Sequence, residues 1–241
     1  MSFQLTGISS MATRHILADL IGPYEQRTGY RVRIASMGGV DAAQRVRAGE
    51  PTDVIILTSN VMEQLEAEGH VVAGSRTDFA RSGIAMAVPS GARRPSIDDA
   101  DSVRQAMLNA RKICYSTGPS GDHLKRVWGR WGILDLMSER AVQAPPGIPV
   151  GTIVAKGEAD LGFQQLSELL HVPGLDIVGP LPAEIQAMTV FSAGVSSSSS
   201  QFKQAEALIA YLTSPAAEAA NRHHGMEPAG RRQASDAAAV P

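Results

Sequence analysis

Two extended segments, residues 79–89 (Phe-Ala-Arg-Ser-Gly-Ile-Ala-Met-Ala-Val-Pro) and 188–195 (Met-Thr-Val-Phe-Ser-Ala-Gly-Val), constrain this chain most. The stretch between them alternates strand and helix patterns, and so do the stretches on either side, which argues for an α/β protein. A chain that leaves one body through an extended segment, builds an α/β unit and returns through another makes two lobes joined by a double crossover. The first lobe is then discontinuous, 1–83 plus 190–228, and the second is 84–189. The polar, alanine-rich remainder, 229–241, is expected to be a disordered tail.

Within this frame the local signals are clear. Arg31-Val-Arg-Ile-Ala alternates as a half-exposed strand should, and Asp53-Val-Ile-Ile-Leu is a continuous apolar run suited to a strand buried on both faces. Helical patterns over 12–28 and 59–68 stop at Gly29 and Gly69. Further helices are expected over 41–48, 96–111 and 201–213, with one after Gly121 and one ending at Lys156. The serine run 196–200 reads as a mobile loop.

A chain of 241 residues can hold two cores, and a net charge of −2 offers no basic field for nucleic acid or an anionic membrane surface. No apolar run could span a bilayer, so no membrane insertion is expected. The single cysteine, Cys114, excludes an internal disulfide and a thiolate cluster. His223-His224 has no neighbouring carboxylate at metal spacing in the sequence, so neither a metal nor a cofactor is expected. The first residues carry neither a basic region nor an apolar core of a leader. The protein as it stands is therefore expected in the cytoplasm, or in the periplasm if a leader has been removed. A monomer is expected.

The chemistry concentrates at four turns that deliver the chain into helices: Ser9-Ser10, Gly38-Gly39, residues 116–121 (Ser-Thr-Gly-Pro-Ser-Gly) and residues 145–149 (Pro-Pro-Gly-Ile-Pro). Helix N-termini carry unpaired N–H groups and partial positive charge, and in α/β folds ligands sit outside the carboxyl ends of strands. Four such turns converging in a cleft between lobes point to a small anionic ligand. Taken alone, Ser9 or Ser10 reads more readily as a helix cap, and it is the other three turns that shift Ser10 toward the ligand.

The order of these motifs resembles the molybdate-binding protein family of the type II periplasmic-binding-protein superfamily. The matching stretches are Gly7-Ile-Ser-Ser10, Tyr24-Glu-Gln-Arg-Thr-Gly29, Ala48-Gly-Glu-Pro-Thr-Asp-Val54, Phe79-Ala-Arg81, Lys156-Gly-Glu-Ala-Asp160, Tyr211-Leu-Thr-Ser-Pro215 and His224-Gly225-Met226. The resemblance implies two mixed sheets flanked by helices, a ligand cleft between lobes, and hinge closure near residues 82–85 and 188–191. It also implies that Ser10 donates a hydroxyl while Gly38, Gly39, the 116–121 turn (Ser116, Thr117, Ser120) and Gly147 contribute mainly N–H groups. If the protein is exported, a transporter is the implied partner.

Two departures stand out. No serine stands in the Gly38-Gly39 turn, and Gln165, beside Gln164, replaces the tyrosine usual after the Gly-Glu-Ala-Asp strand. A larger acid with two or three carboxylates suits these changes better than molybdate. Arg81, with Arg14 behind it, is a candidate carboxylate partner. The bland alternatives are a salt bridge for either arginine, core packing for Tyr115, and a solvated helix face for His123. The same resemblance extends to aconitate isomerases, which need a base for an allylic proton. No carboxylate or histidine stands out in the sequence as that base, so capture of an anion leads and isomerisation follows.

Overall fold

The computed structural model describes residues 4–145 and 147–229. Pro146, within the 145–149 turn, and the tail from residue 230 lie outside the described residues. The chain separates into two compact units. One holds the residues up to Arg81, Val190–His223 and the chain from Glu227; the other holds Ser82–Thr189 and His224–Met226.

The first unit opens with β1 (Gln4–Ser10), α1 (Arg14–Thr28), β2 (Arg31–Met37), α2 (Gly39–Arg47), β3 (Val54–Thr58), α3 (Ser59–Ala67) and β4 (Thr77–Ser82). The second runs β5 (Ile84–Pro89), α4 (Ala100–Asn109), β6 (Ile113–Tyr115), α5 (Pro119–Arg130), α6 (Leu134–Arg140), β7 (Ala141–Gln143), α7 (Val150–Ala155), β8 (Leu161–Gln165), α8 (Leu166–Leu169) and β9 (Leu175–Pro180). Then β10 (Thr189–Val195), α9 (Phe202–Leu212), α10 (Glu218–His223) and β11 (Glu227–Pro228) complete the first unit. Each unit is a mixed sheet flanked by helices, as the sequence led us to expect.

The sheet of the first unit has the order β11-β4-β10-β3-β1-β2. Strands β1, β2 and β3 are parallel, while β10 runs antiparallel to β3. All five residues of β3 are buried, as its unbroken apolar run requires. Gly7 is needed on β1 because a Cβ there would collide with the Ile34 side chain and crowd the carbonyl of Val54. Helix α1 ends where Gly29 takes the left-handed conformation (φ 73°) and returns its N–H to the carbonyl of Glu25.

Asp53 ties this sheet together from its amino-terminal edge. One carboxylate oxygen accepts from the Thr6 N–H at 2.8 Å and the other from the Ser199 hydroxyl at 2.6 Å. Ser196 N–H bonds the Asp53 carbonyl, and the Ser198 hydroxyl bonds the Thr52 carbonyl. The serine run is therefore a hydrogen-bonded clasp on β3 and not the mobile loop its composition suggests. The binding partners lie too far apart in sequence for composition to show them.

The sheet of the second unit has the order β7-β6-β8-β5-β9, with β5 antiparallel to both neighbours and β6 parallel to both of its own. Alternate residues of β5 serve two cores. Ile84, Met86 and Val88 pack with Trp128, Phe163 and Met107, while Ala85 and Ala87 pack against Leu169 on the other face. Trp128 donates its indole N–H to Met107 Sδ at 3.2 Å and meets Tyr115 edge-on. The long segment expected over 79–89 is thus two strands, β4 and β5, broken at Gly83, where a Cβ would press on Gln186 and Met188. Helix α4 begins at Ala100, four residues later than its pattern, because the Asp99 carboxylate caps the N–H of Ser102 at 2.7 Å.

Candidate functional site

In the first unit, parallel pairing sets Ser9 opposite Ser36 and Ser10 opposite Met37, so that the ends of β1 and β2 and the start of α2 lie side by side. Ser9 points into the sheet: it is fully buried, and its hydroxyl shares a 2.8 Å hydrogen bond with that of Ser36. Ser10 begins a short 3-10 turn and takes a long, 3.4 Å hydrogen bond from the Ala12 N–H. Its cap is weak, and its own proton remains to be offered. Gly38 precedes α2 with no side-chain cap. A Cβ on Gly39 would meet nothing within 4 Å, so this turn has room beside its N–H groups. Arg81 does not join this group. It pairs with Glu227 at 2.8 Å on the opposite side of the sheet order, and Arg14 is exposed at the start of α1.

In the second unit, β6 and β8 are parallel with Tyr115 opposite Phe163, so that Ser116 and Gln164 follow as neighbours at the strand ends. Ser116 and Ser120 share a 2.7 Å hydroxyl contact, and Ser116 Oγ also accepts from the Gly118 N–H. Gly121 follows because a Cβ there would strike the carbonyl of Ser116. Thr117 is exposed, as is Gly147, whose left-handed φ of 77° suits glycine.

The two glutamines behave differently from each other. Gln164 Oε1 accepts the N–H of Val150, the first residue of α7, at 3.0 Å, and its Nε2 donates to Glu168 Oε1 at 2.8 Å. Gln165 donates to the Thr189 hydroxyl at 2.8 Å, and its buried carbonyl oxygen has no hydrogen-bond partner. Glu168 is the residue that the sequence did not reveal. It is half-buried, and burial pushes its carboxyl up to about 7 against the pull of the Gln164 hydrogen bond. Glu168 lies on a helix of only four residues, too short for any periodic pattern to show which way it faces.

Other candidates resolve as structural. His123 is half-buried with Nε2 at 2.8 Å from the Ile185 carbonyl, where a solvated face was one reading. Tyr115 packs in the core, beneath Lys125. His171 follows α8, and its Nε2 lies 2.8 Å from Nδ1 of His224. His223 does have a carboxylate neighbour: a ligand atom of Asp19, on α1, lies within 4.8 Å of one of its own. The sequence concealed that approach because α1 and α10 are distant in the chain.

The family described as bacterial extracellular solute-binding protein matches residues 5–227. The chain belongs to that family. This solute-binding protein is 39% identical over 229 residues to an aconitate isomerase from a Pseudomonas species, covering 93% of this chain and 87% of that one. It is also 26% identical over 224 residues to the molybdate-binding protein ModA of Azotobacter vinelandii, covering 87% and 84% of the two chains. The solved structure of the Azotobacter vinelandii periplasmic molybdate-binding protein superposes with a TM-score of 0.77 at 25% identity, covering 92% of this chain and 98% of that one. The molybdate-binding-like, type II periplasmic-binding fold expected from the motif order is therefore the fold of this solute-binding protein. Among its described residues, no helix is long and apolar enough to cross a membrane.

Proposed function

We propose that this solute-binding-family protein captures a small unsaturated tricarboxylate and isomerises it, with aconitate as the type of substrate. One observation carries the reading: Gln164 accepts the N–H of Val150, a backbone donor at the start of α7, and holds a carboxylate, Glu168, at its other end. A cage for a simple tetrahedral oxyanion gains nothing from that arrangement. A site that must hold several carboxylates and move a proton does. The room at Gly39 supports a ligand larger than molybdate. The likeness to an aconitate isomerase supplies the reaction class. The donors we assign to carboxylates are Ser116, Thr117 and Ser120 in the second unit; in the first unit Ser10 and the Gly38-Gly39 turn offer groups of the same kind.

The reaction is a proton shift with no net change of atoms. A base takes a proton from the CH2 of the substrate, the C–H electron pair forms a new double bond to the central carbon, the old π pair shifts to the carbon at the far end of the allyl unit, and a proton is returned there. The double bond migrates by one position, and cis and trans isomers interconvert. Hydroxyl and N–H donors around the carboxylates stabilise the charge that develops between the two transfers.

A second reading, capture of an oxyanion without reaction for delivery to a transporter, is favoured by the hydroxyl-rich turns and the likeness to ModA. One screen separates the two. Thermal unfolding is followed with molybdate, tungstate, sulfate, phosphate, citrate, cis-aconitate and trans-aconitate, where a ligand at a hundredfold its Kd adds about 2.7 kcal/mol. Trans-aconitate is then followed by ultraviolet absorbance with the purified protein. Stabilisation by aconitate with turnover supports isomerisation, whereas stabilisation by molybdate alone refutes the tricarboxylate reading.

A further inference from the structure

We propose that Glu168 is the group that carries the proton in this isomerisation, and that Gln164 positions it. The assignment rests on the reaction proposed above. It is argued from the arrangement around α8. Gln164 is clamped at one end by the Val150 N–H and grips Glu168 Oε1 at the other, so the carboxylate is fixed to the frame of α7 and β8. A base held by an amide that is itself held by the backbone has one orientation, which proton transfer to a particular carbon requires.

Three other carboxylates of this unit are committed elsewhere. Asp160 is locked on Arg111 and the N–H groups of Arg111 and Lys112, and Asp176 on the Gly91 N–H and Arg94. Asp99 is spent as a helix cap. The elements that pack most on α8 are α7, β5, β8 and β9, of which β9 carries Asp176; the segment at Gly225 also meets Leu166 and Leu170, next to His224, which lies 2.8 Å from His171. Burial raises its proton affinity and the Gln164 hydrogen bond moderates it, leaving the carboxyl near neutrality, where a group that takes and returns protons works best. Some surface of Glu168 remains exposed, and Gln164, which holds it, stands beside Ser116 at neighbouring strand ends.

In the catalytic cycle, ionised Glu168 accepts the allylic proton from the substrate CH2 and, as the neutral acid, returns it to the vinylic carbon at the far end of the allyl unit. The carboxylate is regenerated and no other reagent is consumed. Gln164 makes no contact with the reacting atoms in this scheme and acts only through the carboxylate.

The test uses the full-length protein and its variants E168Q and Q164L, with trans-aconitate as probe, in water and in D2O. The wild type should turn over. E168Q should lose about a hundredfold or more in kcat while trans-aconitate still raises its Tm. Q164L should lose part of its kcat, because the carboxylate is no longer held in one orientation, and the ionisation that governs the acid side of its kcat/KM profile should move to higher pH, because a hydrogen bond that favours the carboxylate has been removed. A purely structural Gln164 would lower Tm without moving that profile. E168Q turning over at the wild-type rate, or losing trans-aconitate binding in step with turnover, overturns the assignment while the reaction itself stands. A wild type that binds aconitate without converting it overturns both.

Discussion

Ser9 and Ser36 face each other across the parallel register of β1 and β2, their hydroxyl oxygens 2.8 Å apart, with Ser9 wholly buried and Ser36 only partly so. Removing the more exposed partner should do the greater damage. Ser36→Ala strands the buried hydroxyl of Ser9 with one 3.4 Å contact, at a cost of about 1–3 kcal/mol, whereas Ser9→Ala leaves Ser36 able to find water at a cost nearer 1 kcal/mol. Urea unfolding of the two variants checks the order. Ser10→Ala, by contrast, should change stability little and weaken ligand binding, since the cap it removes is long.

Glu168 should make stability fall with rising pH. Its proton affinity in the folded protein is raised from 4.5 to about 7, so the folded state binds more protons than the unfolded chain between those values. The stability is fully present below pH 4.5 and is lost as pH rises toward 7, by at most about 3 kcal/mol. E168Q should flatten that window and be relatively more stable than the wild type at pH 8. Chemical denaturation at pH 4.5, 6 and 8 reads this directly, and parallel curves for both proteins would contradict it.

The 116–121 turn should tolerate a methyl group at one glycine and not at another. Gly121→Ala drives a Cβ into the Ser116 carbonyl and against the Tyr115 ring, and should destabilise by roughly 1–3 kcal/mol or more. Gly118→Ala meets only Ser116 Oγ at ordinary contact distance, 3.9 Å, and should be near neutral. Differential scanning calorimetry of the pair is sufficient.

Cys114 is fully buried, and burial pushes its thiol up to about 11. The native protein should therefore resist Ellman's reagent at pH 8 and release one equivalent only after unfolding. Rapid reaction of the native protein would show that β6 opens readily.

Arg81 and Glu227 are both well exposed, so Arg81→Ala should change stability by no more than about 0.5 kcal/mol. Because Glu227 already occupies its guanidinium, trans-aconitate should bind this variant within about threefold of the wild type, as measured by isothermal titration calorimetry.

Signals confined to a few neighbouring residues were legible in the sequence. The apolar run of β3, the glycine that ends α1 and the hydroxyl turns after β1 and β6 all stand where their local patterns put them. What escaped depends on distance along the chain or on elements too short to have a period. Asp53 meets Ser199 across 146 positions, and no composition rule reveals that partnership. Strands β7 and β9 and helix α8 are too brief or too irregular for hydrophobic periodicity to mark them. Glu168 was missed for the same reason, and with it the role of Gln164, whose amide is engaged at both ends.

The place of β10 in the first sheet bears on how the protein is made. It lies between β3 and β4, so the residues up to Arg81 cannot close their sheet until β10, ending at Val195, has emerged from the ribosome. By then all five strands of the second unit have emerged and can already pair. The portion synthesised first is thus the last to be completed, with the apolar edge of β3 waiting unpaired throughout. The speed of translation through the middle of the message becomes, for this topology, a determinant of how much protein escapes aggregation.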